Sequence, residues 1–222
     1  MDQQTISPTI SVLSNNSILL DATALNDDSL SIQKKIWALV QQCNTSDAFI
    51  DVVPAMNSLT VYLIDPTSLA HWQAQLALWW ANINPHDYQG KHHKIITQYG
   101  GDYGPDLNYV AEYHNLSPQQ VIDIHSQGHY QVLFLGFQPG FAYLHGLNSQ
   151  LHTPRRAQPR TRVPKGSVAI GANQTAIYPA DSPGGWHIIG HSDFALFDSE
   201  NTPPCAIQPG DTLQFITKES VL

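Results

Sequence analysis

The chain has 222 residues, of which 42% are apolar and 13% charged, a globular composition long enough for one large domain or two modest ones. Its formal net charge of −8 at pH 7 argues against nucleic acid or an anionic membrane as the main partner. No apolar run approaches a membrane span, and MDQQTISPTISVLSNN lacks the basic start and apolar stretch of a signal peptide, so a cytoplasmic protein is expected. Cys43 and Cys205 lie far apart and suggest no disulfide framework.

The first ninety or so residues alternate strand and helix. Ser17 to Asp21 reads as a buried strand, and Asp28 caps a helix through Val40 with Leu30, Ile36, Trp37 and Val40 at helical spacing. AFIDVVPA and LTVYLI read as strands joined by Met56-Asn57-Ser58. Asp65-Pro66 starts a second helix whose stripe of Leu69, Trp72, Leu76, Trp79 and Ile83 suits a helix lying on a sheet. With HHKIITQY as closing strand, the order resembles a ferredoxin-like β-α-β-β-α-β sandwich; that strand can equally belong to the second half. A polar break from Asn84-Pro85 through Gly90 divides domains at 1–90 and 91–222.

Beyond the break, Gly100-Gly101 and Gly104-Pro105 lead into a helix over Asp106 to His114, and Ser117-Pro118-Gln119-Gln120 is a capping box opening another to about Ser126. From Tyr130 the pattern changes to short strands, YQVLFLGF, SVAIGA, TAIYP, WHIIGH, FALFD and DTLQFI, punctuated by Gly and Pro. That succession points to a barrel or sandwich.

The chemistry concentrates in TPRRAQPRTRVPKG. Every arginine of the chain lies there, and Pro154, Pro159 and Pro164 force the segment to be extended. Arg160 and Arg162 then point to one side and can converge on one anion, which the guanidinium fork grips bidentately. The alternative is a solvated loop paired with surface acids. Turns at Gln138-Pro139-Gly140-Phe141, Gly171-Ala172-Asn173-Gln174 and Ser182-Pro183-Gly184-Gly185 either reverse the chain or present N–H groups to an anion. Together these name Arg155, Arg160, Arg162, Gln174, Tyr178, Ser182, Gly184 and Gly185 as candidate substrate or anion contacts. His125, ending a helix before the barrel, is the candidate catalytic acid or base, or else it favours the helix dipole. Neither a P-loop nor a dinucleotide fingerprint is present, and the 11 histidines show no metal-ligand spacing.

The blocks YGGDYGPDL, LSPQQVIDIHS, LGFQPGFAYLHGL, TPRRAQPRTRVPKGSVAIGANQTAIYPADSPGGWHIIGH and PGDTLQFI resemble, in order, the allophanate hydrolase subunit 1 (KipI-like) family, and DVVPAMNSLTVYLIDP does so more loosely. The resemblance implies an α+β chain, with a small α/β amino-terminal domain and a cyclophilin-like β-barrel after it. It implies a B subunit of an ATP-dependent 5-oxoprolinase, opening 5-oxoproline to L-glutamate with C and A subunits and with ATP, accompanied by Mg, as co-substrate; no tightly bound cofactor is expected. The rival functions are a regulator of a histidine kinase and a non-catalytic small-acid binding module. The chain departs from the family where His187 and His191 replace frequent arginines, and where Ala172, Ala176 and His145 replace frequent glycines.

Overall fold

A computed structural model of the chain describes residues 7–25, 28–85 and 90–218. Two compact units are present, Met1–Tyr88 and Gln89–Leu222. Most of the polar break expected to divide them, 86–89, lies outside the described residues.

In the first unit, strands β1 (Thr9–Ser14), β2 (Ser17–Asp21), β3 (Phe49–Ala55) and β4 (Ser58–Leu63) form an antiparallel sheet in the order β1-β2-β4-β3. Helix α1 (Ser29–Asn44) starts where the Asp28 carboxylate accepts from Ser31 N at 3.0 Å. Its residues Ile32, Ile36, Leu39 and Cys43 recur at helical spacing and are buried against Ile18, Leu20, Leu59, Val61 and Leu63 from alternate positions of the sheet. Each such aliphatic side chain contributes about 1.5–3 kcal/mol when fully buried. Helix α2 (Leu69–Asn82) adds Leu76 and Trp80 to this core, after a turn in which Asp65 caps Thr67 N.

The ferredoxin-like succession needs correction. The sheet place beside β2, where a closing strand after α2 would sit, is taken by β1, a strand not among those expected from the sequence. The expected closing strand, β5 (His92–Tyr99), belongs to the second unit. There it pairs in parallel with the last strand, β13 (Thr212–Thr217), over the whole register from Thr212↔His92 to Thr217↔Thr97.

Among the described residues of the second unit a closed barrel runs β10-β7-β6-β13-β5-β12-β9. Its remaining strands are β6 (Tyr130–Leu135), β7 (Ala142–His145), β9 (Ser167–Gly171), β10 (Gln174–Ile177) and β12 (His187–His191). A separate ribbon pairs β8 (Arg160–Val163) with β11 (Ser182–Gly184). FALFD is not a strand; Phe197 makes only an isolated bridge with Cys205. Helices α3 (Leu107–Tyr113) and α4 (Pro118–Gln127) precede β6, and α4 opens on the expected capping box of Ser117 and Gln120.

The period of two sorts barrel side chains into two cores. Leu144, Val168, Ile170, Ile177 and Ile189 join one cluster with Phe215 and Val121 of α4. The alternate residues Phe141, Ala169, Ala176, Tyr178 and Ile188 join a second, with Trp186 and Val163 of the β8–β11 ribbon. The ribbon therefore covers the outer wall of the barrel and roofs an aromatic cluster there.

Candidate functional site

That roofed wall holds a cleft of about 220 Å³, lined by Phe137, Phe141, Tyr143, Arg155, Tyr178 and Trp186, with Arg156, Pro159 and the Pro183-Gly184-Gly185 turn at its edge. Its floor is a set of edge-to-face rings, with Phe141–Trp186 centroids 5.8 Å apart and Phe141–Tyr178 5.3 Å apart. Two glycines make the room. A Cβ on Gly171 would stand 2.5 Å from the Trp186 ring, and one on Gly184 would stand 2.5 Å from the Tyr178 hydroxyl. Burial pushes the Tyr178 phenol up, while Arg155 and a hydrogen bond donated by the Trp186 backbone pull it down less strongly.

The arginine segment divides its labour. Arg160 donates from Nη1 and Nη2 to the two oxygens of Asp106, each at 2.8 Å, and Arg156 Nη1 donates to the same carboxylate at 3.1 Å. Asp106 is 5% exposed and also accepts from Ile188 N at 2.7 Å, so it ties the loop, α3 and β12 into one node. Arg162 instead closes on Asp181 at 2.7 Å, in the open. Arg160 and Arg162 thus take two different carboxylates rather than converging on one anion, although both also line a second hollow of about 430 Å³ with Tyr103 and His191. Among the described residues Arg155 alone of the four arginines has no carboxylate partner. Its guanidinium stands 5.7 Å over the Trp186 ring at the cleft, a cation–π contact.

The other expected contacts scatter. Gly184 and Gly185 line the cleft, Ser182 lies on β11 with its Oγ buried and without a protein partner, and Gln174 sits half-buried at the β9–β10 hairpin, outside the cleft lining. His125 is a correction. It is 0% exposed in the barrel core, where its Nδ1 meets Tyr99 Oη at 2.7 Å and its Nε2 meets Thr175 Oγ1 at 2.9 Å. Burial lowers its pKa to about 3, so the ring is neutral and braces the core. A neutral imidazole cannot serve the helix dipole, and with both nitrogens engaged it reaches no substrate. Sequence reasoning passed over Arg156, Trp186 and Phe137, all lining the cleft; the SPGGW block held the signal for Trp186.

Among the described residues no group of three His, Cys, Asp or Glu side chains could hold a metal ion, and no helix is long and apolar enough to cross a membrane.

The chain is 45% identical over 193 residues to the B subunit of 5-oxoprolinase from Haemophilus influenzae, an alignment covering 86% of this chain and 89% of that protein. It is 44% identical to the corresponding 5-oxoprolinase B subunit of Escherichia coli O157:H7, covering 86% of this chain and 88% of that one. Among solved structures, TTHA0988 superposes with a TM-score of 0.77 at 29% identity; the match covers 90% of this chain but only 39% of that longer one. Residues 8–207 match the family described as carboxyltransferase domain, subdomain C and D, and the chain belongs to that family.

Proposed function

We propose that the chain is the B subunit of a cytoplasmic, ATP-dependent 5-oxoprolinase that opens 5-oxo-L-proline to L-glutamate together with A and C subunits. The observation that carries this reading is Arg155, a guanidinium without a carboxylate partner among the described residues, held over Trp186 at a small aromatic cleft. The substrate is a compact, flat-faced lactam bearing one carboxylate. Its ring suits the aromatic floor, and its carboxylate suits the open fork of Arg155.

A five-membered lactam resists water. Transfer of the γ-phosphoryl group to its carbonyl oxygen, with ADP leaving, makes the ring carbon electrophilic. Water then adds, the C–N bond breaks as the ring nitrogen takes a proton to become the glutamate amine, and a second water cleaves the resulting acyl phosphate to release phosphate and the γ-carboxylate. Neither a carboxylate nor a histidine lines the cleft, so the base for that water comes from another subunit. The names of the curated relatives, each a B subunit, favour a chain that works beside other subunits.

Reconstitution tests it. The chain mixed with its A and C partners should form glutamate from 5-oxoproline and ATP, and omission of any one should stop it. Arg155→Ala should raise KM for 5-oxoproline roughly ten- to a hundredfold, the loss of one charge-assisted hydrogen bond. Turnover by this chain alone, or full turnover without it, would defeat the proposal.

A further inference from the structure

We propose that Phe137 is the specificity-determining wall of this cleft, closing over the ring of the bound lactam and setting the ring size accepted; the inference rests on the function proposed above. Three observations meet at this residue. Its backbone has φ +68°, a region that bulky side chains rarely adopt. The Gln138 N–H donates to the Gly136 carbonyl at 2.8 Å, so Phe137 occupies the middle of a strained three-residue γ-turn. And its side chain, 62% exposed, lines the cleft with Arg155 and Trp186.

Glycine would fit this backbone without strain, whereas an aromatic ring there costs the fold twice, in conformation and in exposed apolar surface. The flanking bonds hold the turn in place: Phe141 N donates to the Gln138 carbonyl at 3.0 Å and Gly136 N to the Phe141 carbonyl at 3.1 Å. Phe137 meets Phe141 edge-on with centroids 5.4 Å apart and Tyr178 at 6.5 Å, so most of its surface stays free to cover a ligand. A core residue would be covered by its own protein. This one is aimed at the space above the aromatic floor.

The test uses the reconstituted enzyme with 5-oxoproline and its six-membered homologue, 6-oxopiperidine-2-carboxylate. Phe137→Ala and Phe137→Gly should each raise KM for 5-oxoproline roughly five- to tenfold with kcat nearly unchanged, as expected when apolar cover is lost. Both should also shift the kcat/KM ratio of the two lactams toward the larger ring roughly tenfold. Phe137→Gly should melt above Phe137→Ala, because only glycine relieves the backbone, which separates loss of contact from loss of fold. An unchanged ratio in both variants overturns the inference while leaving the function standing. No turnover of 5-oxoproline by the wild-type assembly removes the function and this inference together.

Discussion

Replacing Arg160 and Arg162 separately by alanine should give opposite results for stability, although the two side chains leave one strand on the same side. Arg160 makes two charge-assisted bonds to a carboxylate whose side chain is only 7% exposed. Without it, Asp106 keeps Arg156 and Ile188 N but remains a buried anion short of one cation. Breaking such a pair costs about 3 kcal/mol, discounted from the fully buried case because Arg160 itself is partly exposed. In a domain of this size that is a fall in melting temperature of about 6–12 °C. Arg162 and Asp181 are 76% and 46% exposed, so Arg162→Ala should melt with the wild type. Arg160→Lys should fall between, since a single ammonium cannot span both Asp106 oxygens. Circular dichroism melts of the three variants decide the matter. An Arg160→Ala protein as stable as wild type, or an Arg162→Ala protein equally destabilised, would refute the Asp106 node as the brace of the loop.

Stability should also depend on pH through His125. Its folded pKa of about 3 lies below the ordinary 6.5, so the unfolded chain takes up a proton first as pH falls. The contribution is complete above pH 6.5 and declines from there toward pH 3, a loss of about 2 kcal/mol between pH 6.5 and 5. Urea titrations at the two pH values should show this slope flattened in His125→Gln. Gly184→Ala should push Tyr178 from its place, since the new Cβ would stand 2.5 Å from its hydroxyl; we expect at least a tenfold rise in KM. Gly185→Ala, whose Cβ would meet nothing nearer than 3.7 Å, should behave as wild type in the same assay. Burial pushes the Cys43 thiol up to about 12, so iodoacetamide should label Cys205 in the native protein and Cys43 only after denaturation, as read by mass spectrometry.

Local signals were readable in the sequence. Asp28, Asp65 and Ser117 each cap the chain where expected, because a cap is made with a residue two or three positions away. Pairing over long distance was not readable. The alternation of HHKIITQY suits any half-buried strand, and only its partner 120 positions on, Thr212, places it in the barrel. Likewise the extended run of prolines placed Arg160 and Arg162 on one side, yet Asp106, more than fifty positions back, decides what Arg160 does. His125 misled for the same reason. Its helix-terminal position suggested a charged or catalytic ring, whereas Thr175 of β10 and Tyr99 of β5 enclose it in the barrel. The cleft was half legible: its glycine turns, Arg155 and the SPGGW block carrying Trp186 stood out, but Phe137 looked like an ordinary apolar residue until the fold set it in the same cleft.

The parallel seam between β5 and β13 has a consequence for biosynthesis. The first strand of the barrel leaves the ribosome early, but its neighbour on one side is the last strand made, and Asp211 just before it must reach back to Lys91 N and His93 Nε2. Until then β5 and β6 each face water with an unpaired edge, since β13 lies between them. A nascent chain halted near Ile207 would carry every other wall of the barrel and still have two sticky borders. Truncation within β13 should therefore yield aggregates rather than a shorter soluble domain.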